Sequence, residues 1–285
     1  MKGTGDTMID IVLTFRRDRL AVFGTAILCL LTLIALLAPY IAPYDPVELN
    51  LSQRLLSPNI EHLMGTDSVG RDILSRIIYG TRTSLMISVV VVIIEVVFGV
   101  LVGTAAGYLG RAADEILMRL VDILLAFPGI ILTIVIVGLL GSSVMNLIIA
   151  LTAVGWVGYA RVVRGSILSI KKELFIESAR AIGCSKLRIA THHILPNIIS
   201  PVIVLATMNM GTIIISIAGL SFLGLGVQAP TPEWGIMLNE GKPFMESAPH
   251  LMIFPGLMIM VTVLAFNFLG DGLRDVLDIK TIIGS

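Results

Sequence analysis

The residues able to do chemistry are few. The chain has four histidines, His62, His192, His193 and His250, and two cysteines, Cys29 and Cys184. His192 and His193 are adjacent at a helix start, so their rings point in different directions and cannot clamp one metal. His62 and His250 fall on the same side of the molecule and folding could bring them together. Without a cysteine beside them they are a meagre donor set, and no metal ligand is assigned. The cysteines lie far apart in unlike surroundings, which excludes a disulfide framework and a cysteine-rich metal site. A P-loop needs G-x-x-x-x-G-K-[ST] between strand and helix. The nearest string, Gly235 to Pro243, is one residue too long and puts Pro243 in the Ser/Thr position. No catalytic constellation and no cofactor site is present, so the chain reads as a non-enzyme and any ATP and Mg chemistry must sit on another chain.

The remaining polar residues of interest lie inside apolar stretches. Glu95 interrupts an uncharged run near its middle. An ionisable group deep in a bilayer costs roughly 3 kcal/mol on insertion scales, so it should face a bundle interior or a wet cavity. It is a candidate to line a transport path or to pair with a partner subunit. Asn146 and Asn209 join it as candidate path residues, although these amides and Asn267 can equally hydrogen-bond between helices. Arg119 and Asp122 are three apart, on one helix face, and are expected to form an inner structural ion pair. Met208 and Met210 are expected to pack.

The elements that must position these groups follow from composition. Of 285 residues, 56% are hydrophobic and only 14% charged, with mean hydropathy +0.95. A soluble domain runs at about 25% charged, so the pattern is that of an all-α polytopic membrane protein. Twenty basic and twenty acidic residues cancel, which leaves no field to attract nucleic acid. The first apolar run, Leu20 to Tyr44, is longer than the core of a signal peptide and reads as a retained helix. A second span runs from about Thr83 to Tyr108. Asp122 to Arg161 encloses 38 uncharged residues, roughly 57 Å as one helix, which is too long for one crossing of a core of about 30 Å. A break at Gly138 to Ser143 divides it into a third span, Ala113 to Gly138, and a fourth, Val144 to Val163. A fifth covers Pro196 to Leu220 and a sixth Leu251 to Leu269.

Six spans divide the chain into a first helix with its leading segment (1–44), an outer segment (45–82), a five-helix core (83–270) and a tail (271–285). Lys and Arg number fifteen on the side of the N-terminus and five on the other. The positive-inside bias therefore predicts both termini in the cytoplasm. The outer segments are net acidic, through Asp45, Glu48, Glu61, Asp67, Asp72, Glu233, Glu240 and Glu246.

One inner segment, 164–195, is long for a loop and needs a reason. Leu174, Phe175, Ala179 and Ile182 recur at helical spacing, with Lys171, Lys172, Glu177 and Arg180 on the other side. Gly183 accepts φ > 0 and can break the helix. Pro196 suits the first turn of the next span. Two short amphipathic helices are predicted to meet at a glycine, able to lie on lipid headgroups or to dock a cytosolic partner.

Glu177-Ser178-Ala179, then Gly183, then Leu195-Pro196 resembles the EAA signature of permease subunits of ATP-binding-cassette importers. Ser178 replaces the first alanine, and His193 stands where the general pattern has isoleucine. The resemblance implies a type I importer permease fold, with this loop as the coupling helix that enters a groove on the cytosolic ATPase. Glu177 would contact the ATPase, Ala179 permit close approach, and Gly183 make the turn. Further segments narrow the match across nearly the whole chain: Gly65-Thr66-Asp67, Gly70-Arg71-Asp72, Ser75-Arg76, Met118 to Asp122 with Pro128, Leu220 to Gly226, Pro230 to Gly235, Ala265-Phe266-Asn267, and Gly270 to Asp275. Together they are similar to the C-type permease of dipeptide, oligopeptide and nickel importers. The resemblance implies a B-type permease as heterodimer partner, two ATPases that bind ATP and Mg, and an extracytoplasmic binding protein, all at the cytoplasmic (inner) membrane. Gly155 to Arg161 and Leu205 to Gly211 are similar to nickel permeases in particular, which tilts the expected cargo toward nickel, as ion or chelate, ahead of peptides. A secondary ion-coupled transporter is the alternative of another class, but no internal repeat of the kind such folds show is visible. A redox-enzyme anchor would usually place histidines within the spans, and none falls there.

Overall fold

Asp18 opens the first long helix: its carboxylate accepts from the backbone N–H groups of Leu20 (2.9 Å) and Ala21 (3.2 Å), satisfying two of the donors a helix start leaves free. In the computed structural model, which describes residues 15–283, that helix is α1 (Arg19–Ile41). Lys2 and the rest of 1–14, and residues 284 and 285, lie outside the described residues.

The order continues with α2 (Ile73–Leu109), α3 (Arg111–Leu125), α4 (Gly129–Leu140), α5 (Val144–Ile170), the short α6 (Leu174–Ala181) and α7 (Lys186–Ile189), α8 (Leu195–Phe222), α9 (Trp234–Gly241) and α10 (His250–Ile283). Five of these helices are long and apolar enough to cross a membrane, and the number is six if the bent pair α3 and α4 counts as one span. The bend is 86°. The expected continuous third span is therefore two helices, and the cause is local. Pro128 lacks an N–H, and its ring biases Phe127 away from helical geometry.

Three helices run beyond the spans expected of them. Asp72 caps α2 through the Ser75 N–H (2.7 Å), so this helix begins ten residues before the predicted Thr83 and takes in part of the expected outer segment. It runs unbroken for 37 residues, about 55 Å at about 1.5 Å per residue. α5 continues past Val163 to Ile170, and α10 continues through the expected boundary at 270. Charge ends a membrane span but need not end a helix.

The helices associate through small residues, as bundles do in lipid where apolar burial alone gives no drive. Gly99, Gly103 and Gly107 form a stripe on α2 against Tyr159, Ala160, Val163 and Ile167 of α5. A Cβ at Gly103 would come within 2.6 Å of the Ala160 carbonyl oxygen, and one at Gly107 within 2.9 Å of Ile167. Gly24 lets α1 approach Ala265 and Phe268 of α10 in the same way. The middle of the bundle is filled by Ile87 and Val91 of α2, Leu147 and Leu151 of α5, and Ile213 and Ile217 of α8.

Candidate functional site

Three arrangements stand out, one at each end of the bundle and one between. At the end carrying segment 164–195, α6 and α7 meet at Gly183, whose φ is +83°. That left-handed geometry is cheap only for glycine. The Gly183 N–H donates to the Arg180 carbonyl and the Cys184 N–H to that of Ala179, each at 3.0 Å. Ile176 and Ala179 turn inward and pack on Val163 and Ile167 of α5, Ile189, Ile194, and Ile198 and Val202 of α8. Leu174 and Ile182 are 78% and 81% exposed, and Phe175 is also outward. The expected apolar face is thus divided. Its inward part rests on Ile176, not singled out from the sequence, and Ala179 serves this internal contact. Glu177, Ser178, Gly183, Leu195 and Pro196 are all exposed. A single wide turn, Ala190–Ile194, joins α7 to α8. His193 lies against Phe175, ring centroids 6.3 Å apart, and His192 Nδ1 is 2.8 Å from the Thr191 hydroxyl.

Ion pairs tie this end together. Arg164 donates twice to Asp114, at 2.8 and 2.7 Å. Lys171 donates to the Gly107 carbonyl (2.6 Å) and lies 4.9 Å over the Tyr108 ring. Burial, followed by the nearby Arg180 charge, pulls the Lys171 ammonium below its usual range. The expected Arg119–Asp122 pair is not formed. Asp122 accepts from Arg161 of α5 at 2.7 Å, while Arg119 is exposed on α3. Spacing put the two on one helix, but α5 packs beside that helix and supplies the partner. Both members of the observed pair are more than half exposed, which limits its worth to about 1 kcal/mol at most.

Between the ends lies a buried polar knot. Glu95 of α2 is 2% exposed. Asn209 of α8 donates its amide to Glu95 Oε2 (2.9 Å) and to the Tyr159 hydroxyl of α5 (3.2 Å). Gly155 makes the recess, since a Cβ there would overlap the carboxylate. Glu95 and Asn209, read from sequence as candidate path residues, face each other inside this chain. Asn146 is elsewhere: its amide donates to the Leu140 and Gly141 carbonyls (2.8 and 2.9 Å) and closes the turn between α4 and α5. Sequence reading missed Tyr159 and Gly155. The available signal was the run of glycines on α2 facing an aromatic on α5, which marks close helix approach.

At the far end, Arg71 joins Asp67 (2.5 Å) to Glu240 of α9 (2.8 Å), and Arg76 reaches Glu240 (2.6 Å) and Asp67 (3.3 Å). Asp72 receives Ser75 and His62, the latter at 2.9 Å. His62 is thereby engaged, with Gln53 on its other nitrogen (3.3 Å), and no group of three potential metal ligands occurs among the described residues. Glu233 caps α9 through the Gly235 and Ile236 N–H groups (2.9 and 3.0 Å) and meets Ser84 of α2 (3.3 Å). Burial raises the Glu233 carboxyl above its ordinary range, against the pull of those hydrogen bonds. Trp234 is fully buried beside Gly80. The short motifs of the outer segment meet α9 through Glu240, and the Pro230 to Gly235 string adds Trp234, which packs with Ile73 and Ile77.

Comparison with known proteins agrees with this architecture. Residues 95–282 match the binding-protein-dependent transport system inner membrane component family, and residues 8–58 match the N-terminal transmembrane domain of oligopeptide transport permease C. The chain is 47% identical to the dipeptide transport system permease protein DppC of Alkalihalophilus pseudofirmus, over 93% of this chain and 87% of that one. It is 48% identical to the glutathione transport system permease protein GsiD of Escherichia coli, over 93% and 88%. Among solved structures it resembles the inward-facing MetNI methionine ABC transporter, with a TM-score of 0.57 at 22% identity, covering 70% of this chain and 95% of that one; this shows the fold. The chain belongs to the binding-protein-dependent inner-membrane permeases, as a non-catalytic, multi-pass C-type subunit of the peptide and oligopeptide class of ABC importers.

Proposed function

We propose that this permease moves di- or oligopeptides, including glutathione-like ones, into the cytoplasm. The observation that carries this is the near-half identity to a dipeptide and a glutathione permease over 93% of the chain. It moves the reading from nickel, toward which the segments at 155–161 and 205–211 tilt, to peptides. The chain works as a heterodimer with a B-type permease, and both termini face the cytoplasm, in line with the arginine and lysine placement. ATP and Mg are bound by two ATPases that dock on segment 164–195. Glu177 and Ser178 present the polar contact, with Leu174, Phe175 and Ile182 as the apolar contact beside it. Gly183 makes the turn, Ala179 packs the loop onto the bundle, and Leu195-Pro196 starts the helix that receives its motion.

The test is uptake in a strain lacking this gene. Labelled dipeptide and glutathione uptake should fall and return with the intact gene, while cellular nickel at trace supply stays unchanged. Lost nickel with undisturbed peptide uptake would overturn the assignment.

A further inference from the structure

We propose that the Glu95–Asn209–Tyr159 knot is the joint through which movement of segment 164–195 reaches the far end of the molecule. Its members are positioning residues and not substrate contacts. The proposal rests on the reading of that segment as the ATPase contact.

The segment is welded to two helices. Ile176 and Ala179 share a core with Val163 and Ile167 of α5 and with Ile198 and Val202 of α8. A push on α6 therefore displaces the near ends of α5 and α8 together. The contact of this block with α2 is otherwise close and apolar over most of its length. There the Gly99, Gly103 and Gly107 stripe of α2 receives Tyr159, Val163 and Ile167 of α5. Lys171 ties the block to α2 at Gly107, but that contact is part-exposed and water can replace it.

In the knot the Asn209 amide is half-buried, but both groups that accept from it are buried. Glu95 is 2% exposed and Tyr159 1%. An unpartnered polar group away from water is strongly disfavoured. Asn209 must keep both acceptors while the helices shift, so α2 follows α8. The recess at Gly155 seats the Glu95 carboxylate in one place.

From the knot, α2 is a single rod. It runs without a break to its far end, where Arg76 holds Glu240 and Ser84 meets Glu233. Trp234 of α9 is packed against the same helix at Gly80. Displacement at the loop is thus delivered to α9, and by the same bonds a partner bound at the far end is reported back to the loop.

The experiment uses the assembled transporter (both permeases, both ATPases and the binding protein) in proteoliposomes. It reads basal ATP hydrolysis and its stimulation by loaded binding protein. Asn209→Leu should keep basal hydrolysis within about twofold and lose stimulation by about tenfold, inside the ordinary range of coupling between sites. Glu95→Gln, which retains an acceptor oxygen, should keep stimulation within about threefold. Stimulation left within about twofold of wild type in Asn209→Leu overturns the proposal, as does a parallel fall of basal and stimulated rates. If Asn209→Leu does not assemble, Tyr159→Phe, which removes one oxygen and no bulk, decides by the same ratio. Failure of the loop reading would show separately, as normal ATPase assembly in a Glu177→Ala, Gly183→Pro double variant.

Discussion

Glu233 shows how a single side chain carries two opposed demands. Its carboxylate is placed to accept from two N–H groups at the start of α9, which favours the charge, yet it is 1% exposed, which penalises it. Burial is the larger effect and the carboxyl is raised. A carboxyl raised in the folded state gives its full stability at acid pH and loses it as pH rises through the folded value. The thermal midpoint of the purified complex should therefore fall as pH rises from the ordinary carboxylate range toward neutral. Glu233→Gln keeps an acceptor and has no charge to bury, so it should flatten that fall. An unchanged pH profile in the glutamine variant would show that Glu233 is not its source.

Among the elements, the bent pair α3 and α4 has the sharpest local cause. The break holds only Ala126, Phe127 and Pro128 between two helices that turn by 86°. Pro128→Ala returns an N–H and removes the ring, so α3 and α4 should straighten toward one helix. Spin labels at Met118 and Val135 should then separate toward roughly 26 Å, the rise of 17 residues at about 1.5 Å each. A separation unchanged from that of the native sequence would mean that contacts with α5 impose the bend. The glycine turn at Gly183 and the cap at Asp72 are of the same local kind, set by what a few neighbouring residues allow.

Across the whole molecule, the far end is held by charges that are remote in sequence. Arg71 and Arg76 share Glu240 across 169 and 164 residues. Arg76 is 1% exposed, and removing one partner of a buried pair leaves the other uncompensated, at about 3–5 kcal/mol. Glu240→Ala should lower the thermal midpoint of the complex strongly, and Arg76→Ala should do so by a similar amount. The double variant should cost much less than the sum, because the two share one contact. Strict additivity in that cycle would deny the pair. The same network keeps α9 attached to α2, so its loss should also weaken the response to binding protein.

How much of this was legible beforehand divides along one physical line. Long uncharged runs and a 3.6-residue period are local properties, so the apolar membrane helices, the amphipathic segment at 164–195 and the turn at Gly183 could be read directly. Inward and outward directions were a different matter. Glu95 was visibly out of place in an apolar run, but that it meets Asn209, 114 residues on, depends on three helices crossing at one level. Asp122 took Arg161, 39 residues away, over Arg119 on its own helix, because α5 packs beside α3 and brings Arg161 within reach. Ala179 lay on the apolar side as expected, yet it faces the bundle while Leu174 and Ile182 stay outside. Local chemistry decides which segments can be helices and where they start and stop. Which side chains become partners is decided by close approach between helices, and that exists only once the bundle has packed.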